Sequence, residues 1–218
     1  MLKFYNQPLS PLSRRVWITL LEKDIPFSSI QMNLKEGEQF KPEFLAINPF
    51  HHVPVIVDDG FRVLESLAIL DYLESKYPTP SLLPNDSRRL AIVRMAQMVA
   101  NNELSSLVIP LIGETEDSPK LAKTKRKIQR ILNFFAELLG EDAYFGGDRL
   151  SLGDIIAGNS VILVSKLGFD LSQVAAIEAW CDRLMQREAW QKTQPNAEQL
   201  EIFKQTVAAL IGKHKNLI

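Results

Sequence analysis

Asn48-Pro49-Phe50-His51-His52-Val53-Pro54-Val55-Ile56-Val57-Asp58-Asp59-Gly60, followed by Glu65-Ser66-Leu67-Ala68-Ile69, is the stretch on which the reading of this chain turns. Pro54 stands between Val53 and the β-branched run Val55, Ile56, Val57. A proline offers no N–H to a ladder and has a fixed φ, so it marks a strand start or a turn rather than the body of a central strand. A cis Val53-Pro54 bond is one way to use it, turning the backbone so that the Val53 N–H and C=O face something other than the sheet, as a peptide ligand requires. Farther on, Glu65-Ser66 stands before the helical repeat Ile69, Leu70, Leu73, Tyr77. That places a carboxylate, a hydroxyl and free N–H groups at a helix N-terminus. Together the two features suit a small zwitterion held by both of its ends.

Outward from this stretch, Leu2 to Asn6 reads as a strand and Pro8 to Pro11 as a turn. Leu12, Val16, Trp17, Leu20 and Leu21 then recur at helical spacing, with Pro11 at the first helical position and Ser10 at the N-cap. Phe27 to Met32 reads as a strand, Pro42 to Ala46 as a brief helix, Pro54 to Val57 with Arg62 to Leu64 as a hairpin, and Ser66 to Tyr77 as a helix. The order is β-α-β-α-β-β-α over residues 1–79. Residues 80–87, rich in proline and cap residues, read as a linker. Over 88–218 the pattern is helical throughout: Ala100, Leu104, Leu107, Leu111, then Ile128, Ile131, Leu132, Phe135, Leu138, then Val174, Ile177, Trp180, Cys181, Leu184. The fold class is thus α/β followed by an all-helical domain. Internal repeats and low-complexity tracts are absent.

Composition bounds the partners. A chain of 218 residues, 46% hydrophobic, has enough apolar residues for one large or two modest cores. Up to residue 79 there are 8 basic and 10 acidic residues, leaving 17 and 16 of the total 25 and 26 for the rest. Neither half carries the basic excess of a nucleic-acid binder, so nucleic acid is not expected as a partner. The one cysteine, Cys181, excludes an intrachain disulfide and any Cys-x-x-Cys site and fits a reducing compartment. There is neither a basic n-region with an apolar stretch nor a run of 18 apolar residues, so a cytoplasmic location without membrane association is expected.

Val53-Pro54, the acidic turn and Glu65-Ser66 resemble the glutathione-binding half of a soluble glutathione transferase, which has a thioredoxin-like fold. The segment from Phe4 to Val16, with Ser10-Pro11-Leu12-Ser13-Arg14-Arg15, resembles the first strand, turn and helix of the serine-type enzymes, the phi class most closely. Ser151-Leu152-Gly153-Asp154-Ile155 resembles the capping box of the family's helical domain, a folding signal rather than a catalytic one. The resemblance implies an enzyme that conjugates glutathione, as co-substrate, to small hydrophobic electrophiles in detoxification, with no metal or flavin. It also implies that the helical domain, through residues 101–111 and the C-terminal tail, closes an apolar cleft for the electrophile. Two rivals stay open: a non-catalytic module of the same fold mediating protein contacts, and glutathione-dependent isomerase or peroxidase chemistry on the same site.

The resemblance also assigns roles. Ser10 would donate to the sulfur of glutathione at a helix N-terminus and favour the thiolate, while by spacing alone it is an ordinary N-cap. Ser13 and Arg14 are secondary candidates. A tyrosine-type enzyme would need its tyrosine where Phe4 stands; Tyr5 falls on the opposite strand face. The cysteine-type reactions need a cysteine near Ser10, and Cys181 reads as a core residue. Glu65 and Ser66 would hold the γ-glutamyl ammonium and carboxylate, and Val53, ahead of Pro54, the cysteinyl backbone, with little role for its side chain. His52 would donate to the glycyl carboxylate, increasingly so as pH falls. His51 and His52 depart from the family's commoner glycine and glutamine or lysine, and Gln39 and Phe40 from its histidine and lysine, with Gln39 and Lys41 as compensating contacts. Two adjacent histidines, with His214 remote in sequence, make a poor metal site. A homodimer is implied, with Phe50 either anchoring the neighbouring subunit or buried under its own domain. The run Lys120, Lys123, Lys125, Arg126, Lys127, Arg130 reads as a solvated helix face.

Overall fold

The computed structural model describes residues 1–215, with side chains to residue 212. The chain divides into two compact units, Met1–Ser81 and Leu82–Ile218.

In the first unit β1 (Leu2–Asn6), α1 (Pro11–Glu22) and β2 (Phe27–Gln31) form a crossover that leaves β1 and β2 parallel. Two 3-10 turns, Leu34–Glu36 and Glu38–Phe40, lead into the short α2 (Pro42–Leu45). Gly37 joins the turns at φ 74°, a conformation that glycine adopts without steric cost. The hairpin of β3 (Val55–Asp58) and β4 (Phe61–Leu64) then completes a mixed sheet in the order β2-β1-β3-β4. Asp59 and Gly60 both have positive φ, as a two-residue turn matched to the twist of its strands demands. β3 begins at Val55 rather than at the expected Pro54, because the proline cannot donate to the ladder. Its pairing with β1 ends at Tyr5 and Val55.

The helix α3 (Ser66–Lys76) closes the unit and packs against α1. Its residues Ile69, Leu70 and Leu73 are fully buried, as are Val16 and Leu20 of α1 and Phe4 of β1. A smaller core of Phe44, Val53 and Val55 is bordered by Tyr5, Leu34 and Leu64. Tyr5 borders that core while Phe4 is buried outside it, in keeping with the strand alternation. The buried Asp58, last residue of β3, accepts from Tyr72 Oη at 3.1 Å, Tyr77 Oη at 2.9 Å and Lys76 Nζ at 2.7 Å. Burial pushes its carboxyl up, but the bonds from Lys76, Tyr77 and Tyr72 outweigh this and hold it below the usual carboxylate range. The hairpin is thereby tied to the far end of α3, which fixes where the N-terminus of that helix can lie.

The second unit is helical among its described residues: α4 (Ser87–Val99), α5 (Val108–Gly113), α6 (Pro119–Leu139), α7 (Leu152–Lys166), α8 (Ala175–Met185), α9 (Glu188–Thr193) and α10 (Ala197–Lys215). The part of the expected C-terminal tail beyond Lys215, and the His214 side chain, lie outside the described residues. The repeat Ala100, Leu104, Leu107 marks a buried face as read, yet not a regular helix. Residues Ala100–Leu104 widen into a π-helical turn and Ser105–Leu107 tighten into a 3-10 turn. Pro110, without an N–H, then falls in the first turn of α5, where no intrahelical donor is needed. The basic run of α6 is solvated while Leu121, Ile128 and Ile131 are buried.

At the start of α7 the capping box forms in full, and Asp154 does more than cap. Its fully buried carboxylate accepts from Ser151 N at 2.8 Å, Ser151 Oγ at 2.6 Å, Phe145 N at 3.0 Å and the Trp180 indole N–H at 2.9 Å. Burial raises its pKa despite these donors, so the charge is held at a cost. Asp154→Ala should orphan three buried N–H groups and lower unfolding stability by about 3 kcal/mol or more, measured as a fall in the urea midpoint at unchanged slope.

Candidate active site

Within the first unit, four segments border a cavity of about 320 Å3. Ser10 and Leu12 come from the start of α1, Leu34 and Gln39 from the 3-10 turns, Asn48 and His51 to Pro54 from the loop before β3, and Glu65 with Ser66 from the start of α3. Residues far apart in sequence meet because β1 and β3 pair side by side, bringing the segments at their ends together.

The Val53-Pro54 bond is cis. No hydrogen bond to the Val53 N–H or C=O occurs among the described residues, so both are open to a ligand. The Val53 side chain, expected to matter little, is only 7% exposed and packs in the core with Phe44 and Val55. It holds the residue from behind while the backbone faces the cavity.

Glu65 is the N-cap of α3, at φ 65° and ψ 120°. A non-glycine residue there costs on the order of 1–3 kcal/mol, which the tied-down helix and hairpin support. Its carboxylate makes no capping bond, so the first-turn N–H groups of α3 are left for another acceptor beside the Ser66 hydroxyl. At α1, Ser10 is an N-cap whose Oγ accepts from Ser13 N at 3.3 Å. The two readings of Ser10 are compatible: the bond from Ser13 occupies an oxygen lone pair and leaves the hydroxyl proton free to be donated.

Three sequence candidates do not line the cavity. Ser13 is buried, its Oγ accepting from Gln7 N at 3.3 Å. Arg14 is buried as well, and the loss of solvent brings its guanidinium down to about 10. Lys41 turns to Glu38, at 3.3 Å. Gln39 does line it, but its Nε2 donates to Leu34 O at 3.3 Å and its Oε1 is buried without a partner. His51 and His52 are both exposed, their rings 5.4 Å apart, with His51 at φ 49° against Phe40. Cys181 is buried in α8, and desolvation pushes its thiol up, away from reactivity. Among the described residues no three His, Cys, Asp or Glu side chains are grouped to hold a metal, and no helix is long and apolar enough to cross a membrane.

Asn48 is the residue that sequence reading passed over. It is 3% exposed, its Nδ2 donates to His52 O at 2.8 Å and its Oδ1 accepts from Phe50 N at 2.9 Å. One carboxamide thus sets the course of the chain on both sides of His51. The signal was present: an asparagine before a proline commonly initiates a turn through its own side chain. The same loop leaves Phe50 58% exposed, so burial under its own domain is not its role in the chain.

This arrangement agrees with what the chain is similar to. Residues 4–81 match the N-terminal domain of glutathione S-transferase and residues 96–188 its C-terminal domain. Drosophila melanogaster glutathione S-transferase D7 is 31% identical over 217 residues, 95% of each protein. The chain belongs to the glutathione S-transferase family. Arabidopsis thaliana glutathione S-transferase F10 is 30% identical, covering 85% of this transferase and 93% of the plant protein. The delta-class glutathione transferase of Nilaparvata lugens superposes with a TM-score of 0.81 at 26% identity, over 96% of this transferase and 99% of the insect one. The thioredoxin-like domain followed by an all-helical domain is the architecture of the family.

Asn48→Ala should leave the His52 carbonyl and Phe50 N–H without their partner, at about 1–2 kcal/mol. Hydrogen exchange at the Phe50 amide should then quicken about tenfold or more, while exchange in β1 and α3 stays as in the wild type.

Proposed function

We propose that this transferase binds glutathione in the cavity of its first domain and joins it to small hydrophobic electrophiles, with Ser10 stabilising the thiolate. The observation that supports the reading is the Ser10 hydroxyl capping the N-terminus of a 12-residue helix by accepting from Ser13 N, with its proton left to donate, on the wall of a cavity that Val53, Glu65 and Ser66 also line. A hydroxyl donor and roughly half a unit of positive helix charge both favour sulfur as the anion. Val53 offers an N–H and a C=O to the cysteinyl backbone, Glu65 a carboxylate to the γ-glutamyl ammonium, and Ser66 with the first turn of α3 a set of donors to the adjoining carboxylate. The thiolate then attacks the electrophilic carbon, a C–S bond forms, and the leaving group departs with its electron pair. Holding both reactants removes much of the entropic barrier.

A second reading, glutathione-dependent isomerisation, draws support from a rat relative named maleylacetoacetate isomerase, 33% identical over 199 residues. Retention on immobilised glutathione, followed by assays with aryl halides, isothiocyanates and a cis-enone acid, separates conjugation from isomerisation and both from a non-catalytic module. The reading includes a reducing, cytoplasmic setting and a two-fold homodimer in which the exposed Phe50 anchors the partner.

Ser10→Ala should lower turnover by about one to three orders of magnitude, the cost of one lost anion donor, with glutathione affinity little changed. The pH profile of conjugation for both proteins checks it: wild-type rates and the same acid limb in the variant would move thiolate activation to the helix terminus alone. Phe50→Ala should weaken association by about 2 kcal/mol or more, because a two-fold contact uses the residue twice. Light scattering across a dilution series reads this, and a wild-type monomer would defeat the dimer.

A further inference from the structure

A second cavity, of about 310 Å3, lies wholly within the helical unit, between α7, the loop that follows it and α8. Gly168, at φ 99°, turns the chain out of α7, and Phe169 and Leu171 of the loop line the cavity together with Ile162 of α7. These three apolar residues are at most 8% exposed and form its floor. Glu178, Cys181, Asp182 and Met185 recur at i, i+3, i+4 and i+7 and so present one face of α8 to the same space. The adjoining stripe of α8, with Ile177, Trp180 and Leu184, is fully buried. The face with Glu178 and Asp182 stays open, because closing it would bury two carboxylates without cations.

The charged groups of the lining differ in what they have left to offer. The Lys166 ammonium donates to Pro195 O at 3.4 Å. Asp170 accepts from Ser172 N at 2.9 Å and from the Ser172 hydroxyl at 2.8 Å. Glu178 and Asp182 make no side-chain hydrogen bond or ion pair among the described residues. Beside them the Cys181 thiol, 6% exposed, lines the cavity with no hydrogen bond of its own. Burial, and then the Asp182 and Glu178 carboxylates, push this thiol up, so it stays a neutral and unreactive sulfur. With the Met185 thioether and the Phe169 ring it makes a soft, polarisable wall of the kind that packs against an aromatic ring. We propose that this cavity binds a small arylalkylamine, its ammonium set against Glu178 and Asp182 and its ring on the wall of Cys181, Met185 and Phe169. The volume lies at the low end for ligand sites, which suits a single ring on a short chain. A neutral molecule of the same shape forgoes the two carboxylates, and an acid is repelled by them. The cavity shares no residue with the one in the first unit, so this inference stands apart from the glutathione reading.

The test follows the Met185 methyl group by NMR of the full chain carrying isotope-labelled methionine, with Met185→Leu assigning the signal. Phenethylamine, phenethyl alcohol and phenylpropionate share a ring and a short chain and differ in the charge of the end group. Each is titrated to about 10 mM at about pH 7 and low salt, where the amine is protonated and exposed charges are little screened. The amine should shift the Met185 methyl and bind at least about fivefold more tightly than the alcohol, as charge-assisted contacts at an open site allow. Phenylpropionate should leave the signal where it is. The double variant Glu178→Gln, Asp182→Asn should bring the amine to within about twofold of the alcohol. Unchanged affinity for the alcohol in that variant reports that the cavity is intact. A smaller preference for the amine in the wild type, or a preference that survives in the variant, overturns the role given to the two carboxylates. A Met185 methyl that the amine does not move overturns the site itself.

Discussion

The site hangs on Val53, a residue used from two sides. Its side chain is buried with Phe44 and Val55, which fixes the residue against the sheet, while the following proline keeps it out of the β3 ladder. A backbone that is anchored yet unpaired is costly unless something else satisfies it. Val53 lines the cavity, so that open backbone lies on the cavity wall. Asn48 completes the device by holding the carbonyl of the preceding residue, so the open N–H and C=O are held in place by local hydrogen bonds rather than by a strand neighbour.

Two helix N-termini are used beside it, in different ways. At α1 the cap is made conventionally, Ser10 taking the Ser13 N–H, which leaves the hydroxyl a proton to donate after capping. At α3 the cap is withheld. Glu65 sits at positive φ with its carboxylate making no capping bond, so the first turn keeps its unsatisfied N–H groups. The strain this requires is supported from the other end of the helix, where Tyr72, Lys76 and Tyr77 converge on Asp58.

In the helical unit one buried carboxylate organises the chain in a comparable manner. Asp154 begins as an N-cap partner of Ser151 and goes on to accept from the backbone of Phe145 and the indole of Trp180. A local capping signal and a long-range bond to α8 therefore share one group. The rings of Phe145 and Trp180, 5.1 Å apart, pack edge to face beside it. Replacing such a group affects both helices at once, because each donor around it is buried with no alternative acceptor.

Much of this was legible in the chain itself, because the signals are local. Apolar periodicity, a proline at the first position of α1 and an Asp-Gly turn specify strands and helices within a few residues of themselves, and Glu65-Ser66 before an apolar repeat announces an open helix start whatever surrounds it. What sequence could not decide depends on where side chains travel once the elements have packed. Lys41 and Gln39 are the right residue types in the right segment, yet one turns to Glu38 and the other to Leu34. Val53 was read for its backbone, and its side chain proved to be the anchor. Asn48 was not singled out in the sequence at all. Whether Phe50 is covered or exposed depends on the course of a loop set by hydrogen bonds from one carboxamide. Only the tertiary structure shows that no lysine or arginine lines the cavity, because the direction of a long, flexible side chain is set by its spatial neighbours rather than by its place in the sequence.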